Sequence, residues 1–186
     1  MAWFALALLA AVLVLGNREA WAGVGVTRLA IFEPRASVDV PAGTAEAVAK
    51  AFHDEFLRLL DEHEIWGIET VSLEDATSAA RNLVGTPAPM WPGEFTPQWI
   101  DLLNSNRMIT YAAVGEISPA SGGNGALQAR YDLRDFILNV SITELTATGS
   151  SPKEVGKQLG RQALAELQLY FAEIMEVGQG KALINV

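Results

Sequence analysis

A chain of 186 residues with a formal net charge of −9 repels phosphate backbones and anionic lipid surfaces, which argues against nucleic acid as a partner. It contains no cysteine, which excludes a disulfide framework, a thiolate metal site, a cysteine nucleophile and a lipid-modified cysteine. The length fits one ordinary domain with a core of its own behind a short leader.

The leader is MAWFALALLAAVLVLG, residues 1–16, an uncharged apolar run shorter than the roughly 20 residues that a membrane-spanning helix needs. Asn17, Arg18 and Glu19 make a polar step, and Ala20-Trp21-Ala22 is the small-residue pattern that a signal peptidase accepts. Residues 1–22 therefore read as a secretory signal peptide, and residues 23–186 as a single α/β domain, periplasmic or secreted. The other reading is an uncleaved signal anchor that tethers the chain to the membrane, because no Lys or Arg precedes the apolar run. No later stretch is long enough to span a membrane, so no stable span is expected after cleavage.

The first element of the domain is VTRLAIFEP, residues 26–34, a short apolar run stopped by Pro34 and read as a buried strand. Thr44 is placed as the N-cap of a helix in which Val48, Phe52, Phe56, Leu59 and Leu60 recur at helical spacing. Asp54 and Arg58 are spaced to pair on its wet face. WGIETV, residues 66–71, is a second strand, followed by a helix that starts at Ser72 and is ended by Gly85. The Pro-rich stretch 86–99 leads into a short helix opened by Thr96-Pro97.

MITYAAVGEI, residues 108–117, is almost continuously apolar and reads as a central strand. SGGNG, residues 121–125, is a turn; it lacks the Lys and the following helix of a phosphate loop. Leu127, Ala129, Tyr131 and Leu133 alternate with polar residues, and Leu138, Val140 and Ile142 do the same, predicting two neighbouring half-buried strands. Ser151-Pro152-Lys153-Glu154 is a capping box. Behind it Val155, Leu159, Ala163, Leu167, Tyr170, Phe171 and Ile174 form the apolar stripe of a long helix. Gly156 and Gly160 in that helix suit close packing on the sheet. The order β-α-β-α-α-β-β-β-α predicts an α/β (α+β) fold: one mixed sheet of about five strands with helices packed on it.

That order resembles the periplasmic α/β domain shared by the TolB amino-terminal domain, the CsgG-type curli secretion proteins and the LpoB-type activators of peptidoglycan synthesis. RLAIFEP with the helix TAEAVAKAFHDEFLRLLDEH, the strand YAAVGEISPA and the capped helix SPKEVGKQLGRQALAEL carry the likeness. It covers nearly all of the domain as a pattern of elements, with AVGEI as its one motif. The resemblance implies a cell-envelope accessory role. CsgG-type and LpoB-type members look like lipoproteins with a cysteine at the cleavage point, where this chain has Gly23, so cleavage here would release a protein without a lipid anchor. Amphipathic hairpins that would build a pore are not evident, and pore formation is not carried over.

No catalytic, metal or cofactor constellation is legible. His53 and His63, the two histidines, lie ten residues apart on one predicted helix, too far round it to share a metal, and read as solvated. No G-x-S-x-G motif is present. Met90, Trp91, Phe95 and Trp99 concentrate large apolar surface in a segment that cannot be a core strand. These are the residue types enriched at binding hot spots. They are the candidate partner-binding residues, with burial over the sheet edge as the other reading. The expected role is thus an exported assembly domain that binds another cell-envelope protein without catalysis, compatible with a homo-oligomer. Binding of a small ligand or peptide, or a hydrolase with dispersed catalytic residues, are the alternatives.

Overall fold

The computed structural model describes residues 27–65, 67–71, 75, 109–121, 125–135, 138 and 140–178, with side chains as far as residue 170. Among these residues one open mixed sheet of six strands carries two long helices on one face. The elements are β1 (Thr27–Ile31), β2 (Arg35–Ala36), α1 (Thr44–Glu62), β3 (Ile68–Val71), β4 (Tyr111–Pro119), β5 (Leu127–Asp135), β6 (Val140–Gly149) and α2 (Pro152–Gly178). The strand order is β3-β1-β4-β5-β6, with β2 beside β4. β1 runs parallel to both β3 and β4, a pairing that requires a crossover, and α1 supplies the one between β1 and β3. The last three strands form an antiparallel meander. The helices predicted over 72–84 and 97–106 lie outside the described residues, apart from Asp75, which is helical.

The hydrophobic pattern explains the layers. On the helix-bearing face Leu29, Ile31, Tyr111, Ala113, Tyr131 and Leu133 meet Val48, Phe52 and Phe56 of α1 and Val155, Leu159, Ala163 and Leu167 of α2 in one core. Full burial of each large side chain contributes about 1.5–3 kcal/mol. Ala30, Ala112 and Val114 point to the opposite face and are buried as well, so the central strands are apolar on both sides and their sequences run without alternation. Tyr131 is fully buried: its ring stands edge-on to Phe52 with centroids 5.3 Å apart, and its hydroxyl donates to the Phe32 carbonyl at 3.1 Å. The ring lies over Gly115, its partner across β4 and β5. A Cβ there would come within 2.6 Å of the ring and 2.3 Å of the Arg130 carbonyl oxygen, so only glycine fits.

Several local expectations are corrected. Gly43, with φ 79°, precedes α1, and Thr44 is its first helical residue with no side-chain cap hydrogen bond. Asp54 pairs with Lys50 at 2.9 Å, whereas Arg58 turns to Glu55 and Glu62. At α2 the Glu154 N–H donates to Ser151 Oγ at 3.3 Å, but the Glu154 carboxylate accepts from the N–H and hydroxyl of Ser150, so the box closes one residue early. Leu138 and Val140 are 61% and 43% exposed. In β6 the buried residues are Leu145, Ala147 and Gly149, because a one-residue register shift opposite Leu133 and Arg134 inserts Ile142 and changes the phase.

Gly156 and Gly160 of α2 meet α1, not the sheet. A Cβ on Gly156 would lie 2.5 Å from Ala51 Cβ, 2.7 Å from the Phe52 nitrogen and 2.7 Å from the Val48 oxygen. Beside this close approach Glu55, 3% exposed, accepts from Arg58 Nε and Nη2 at 3.0 Å each and from Arg161 Nε at 3.1 Å. Arg58 first, with Arg161, outweighs burial and holds the Glu55 carboxyl below its usual range. One carboxylate thus clamps the two helices. At the far edge of the sheet the Gln162 amide accepts from the Thr146 N–H at 3.1 Å and donates to the Thr146 carbonyl at 2.9 Å, and Gln158 donates to the Thr148 carbonyl at 3.0 Å.

Candidate functional site

Met90, Trp91, Phe95 and Trp99 lie outside the described residues. In sequence they fall between Val71, the end of β3, and Tyr111, the start of β4. An open cleft of about 710 Å³ lies between the C-terminal half of α1 and β3. Leu57, Leu60, Ile65 and Ile68 make its apolar floor, Asp61, Glu64 and Glu69 its rim, and His53 and Thr70 its inner wall.

The floor follows from the helical stripe: Leu60 is buried, whereas Leu57, one turn back and rotated outward, is 40% exposed. Helix α1 ends on a Schellman turn in which the Ile65 N–H donates to the Leu60 carbonyl at 2.9 Å and the Glu64 N–H to the Asp61 carbonyl at 3.1 Å. Glu64 takes the left-handed position with φ 49°, where glycine is the usual residue. The last turn contains no basic residue, although carbonyl ends of helices favour cations. Of the three rim carboxylates, Glu69 is met by Arg28 at 3.1 Å. The sequence ending DEHE displays this imbalance, which composition and motif searches pass over.

His53 was expected in solvent with His63. His63 is exposed, but the His53 side chain is only 16% exposed. Its Nε2 lies 3.0 Å from Thr70 Oγ1 and its Nδ1 3.8 Å from Asp54 Oδ1. Burial pushes its pKa down, against the opposing pull of Asp54, so the imidazole is neutral at neutral pH. Hydroxyl, imidazole and carboxylate thus stand in the order used by nucleophilic hydrolases. The outer distance exceeds hydrogen-bonding range, and Lys50 already engages Asp54. Thr70 sits 17 residues beyond His53, on a different element, so helical spacing could not connect them.

A second groove of about 340 Å³ runs between the helices, lined by Lys50, Arg58, Lys153 and Lys157 alongside Asp54 and Glu55. Among the described residues no three acidic or imidazole side chains are placed to hold a metal, and no helix is long and apolar enough to cross a membrane.

No family model matches the chain, and neither does any curated protein. Solved structures do. The chain is similar to the hypothetical protein CT253 from Chlamydia trachomatis, with 16% identity over 78% of this chain and 98% of that one and a TM-score of 0.42. It is similar to PelC, solved as a dodecamer from Paraburkholderia phytofirmans, with 13% identity over 77% and 88% and a TM-score of 0.42. The C-terminal domain of LpoB from Salmonella enterica aligns with 15% identity over 69% and 87%, at a TM-score of 0.43. LpoB is one of the three groups that the sequence resembles. Likeness at this level is one of outline, and no residue role passes from these proteins to this chain.

Proposed function

We propose that this chain is an exported domain of the cell envelope, cleaved after Ala22, that acts by binding another envelope protein and not by catalysis. The leader and its A-x-A step support export. The observation that carries the binding role is the cleft beside β3, an apolar floor left open to solvent at the strand from which the segment with Met90, Trp91, Phe95 and Trp99 departs. Large aromatic side chains and open apolar floors are what protein docking uses.

The test is photo-crosslinking in the native envelope from Leu57 and from Trp91, with mass spectrometry of the captured protein and of the chain's own first peptide. A first peptide beginning at Gly23 and one envelope protein captured from both positions are expected. Retention of Met1 would make the chain membrane-tethered, and absence of a specific capture from either position would defeat the binding role. A second reading, a hydrolase, is favoured by the Thr70–His53 contact alone. Covalent labelling by a phosphonofluoridate that disappears in Thr70→Val would support it; equal labelling of the variant would remove it.

A further inference from the structure

Resting on that binding role, we infer that the cleft at the end of α1 takes a short basic segment of the partner, a Lys or Arg side chain flanked by aliphatic ones. Its volume of about 710 Å³ lies within the ~300–1,000 Å³ range of pockets that enclose a ligand, enough for a few side chains. The floor of Leu57, Leu60, Ile65 and Ile68 suits aliphatic groups. The rim of Asp61, Glu64 and Glu69 suits a cation, and among the described residues neither Asp61 nor Glu64 is paired with a Lys or Arg.

Two features of the rim work against the stability of the fold. Acidic residues occupy a helix C-terminus that has no basic residue of its own, where the carbonyl ends repel them. Glu64 holds a left-handed conformation that a glycine would adopt at lower cost. Local choices that cost stability without a structural return are characteristic of sites kept for another purpose, and a bound cation relieves the first of these. His53 on the inner wall is neutral and adds no repulsion.

The probe is a fluorescent peptide of alternating Leu and Lys, with an alternating Leu and Glu peptide as control, titrated by anisotropy against the chain as the cell processes it. The Lys peptide is expected to bind and the Glu peptide not to bind. Glu64→Gly with Asp61→Asn should weaken binding by about tenfold while raising the melting temperature by roughly 3 °C. Leu57→Ser should weaken binding without that rise. Asp39→Asn with Glu46→Gln removes the same charge away from the cleft and should leave binding nearly unchanged. Equal losses in the two charge pairs would reveal only the field of an acidic chain and overturn the inference, as would binding of the Glu peptide or failure of the Lys peptide to bind. Crosslinking of Leu57 to the chain's own residues would also overturn it, since the cleft would then be self-filled. If Leu57 captures an envelope protein and the peptide results fail, the binding role survives and the basic segment falls. If the peptide results hold and no envelope protein is captured, the reverse is true.

Discussion

Gly156→Ala puts the contact between the helices to a direct test, because two effects of opposite sign act at one atom. In an isolated helix alanine is better than glycine by about 1 kcal/mol, so propensity alone predicts stabilisation. The added carbon would stand 2.5 Å from Ala51 Cβ and 2.7 Å from both the Phe52 nitrogen and the Val48 oxygen, against roughly 3.5–4.0 Å for an ordinary carbon contact. The crowded atoms belong mainly to the α1 backbone, which has no rotamer into which to retreat. The helices must separate by about 1 Å, and overpacking of this kind costs typically ~1–3 kcal/mol. A gap of that size also forfeits about a quarter to a half of the dispersion energy of the contacts it opens, here around Phe52, Val155 and Leu159. The net expectation is a loss of about 2 kcal/mol, lowering the melting temperature by roughly 4–8 °C. Gly160→Ala meets Glu55 Cβ at 3.0 Å and the Phe52 oxygen at 3.2 Å and should change stability by less than about 1 kcal/mol. Urea and thermal unfolding of both variants give the comparison. A Gly156→Ala chain as stable as the parent would refute the close approach of the helices.

Glu55→Gln removes the carboxylate that accepts from Arg58 and Arg161 and should cost about 2–3 kcal/mol. Because the folded-state pKa of Glu55 is lowered, its contribution is complete above the ordinary value of about 4.3 and fades as pH falls through the lowered one; the variant's urea midpoint should lack that part of the acid decline. His53 also has a lowered folded-state pKa, so the unfolded chain binds more protons between that value and about 6.5, and stability should rise with pH across this window. In His53→Gln that rise should flatten, and an unchanged pH profile would contradict the buried placement. Gln162→Ala uncovers the Thr146 N–H and carbonyl and should cost about 1 kcal/mol. It should also produce concentration-dependent association in sedimentation velocity, since an uncovered strand edge pairs readily; a strictly monomeric variant with unchanged stability would show that the amide contact does not guard the strand.

Much of this architecture can be read from residue spacing. The stripe from Val48 to Leu60, the alternation through β5 and the nearly continuous apolar run of β4 each record which faces are buried, and the burial follows them. What spacing cannot record is the neighbour. Gly156 and Gly160 announce a close contact but not whether helix or sheet supplies it. Lys50–Asp54, Asp54–Arg58 and Arg58–Glu62 share one spacing, and the choice among them is made by buried Glu55, whose other partner, Arg161, is 106 positions away. The phase change in β6 depends on a register set by β5, which the run Leu138, Val140, Ile142 does not contain. In the cleft, the acidic helix end is visible in the string DEHE, whereas the contact between His53 and Thr70 exists only once β3 lies beside α1.

Gly115 bears on how proteins of this outline come to be compared. The AVGEI string, the most motif-like part of the chain, contains a glycine because an aromatic ring rests on the strand there. It is therefore a mark of construction. Any sheet that seats a ring at the same point would select the same glycine, whatever the protein does. Sorting sequences by this string groups them by how their interiors are assembled, and a shared task has to be sought on their surfaces.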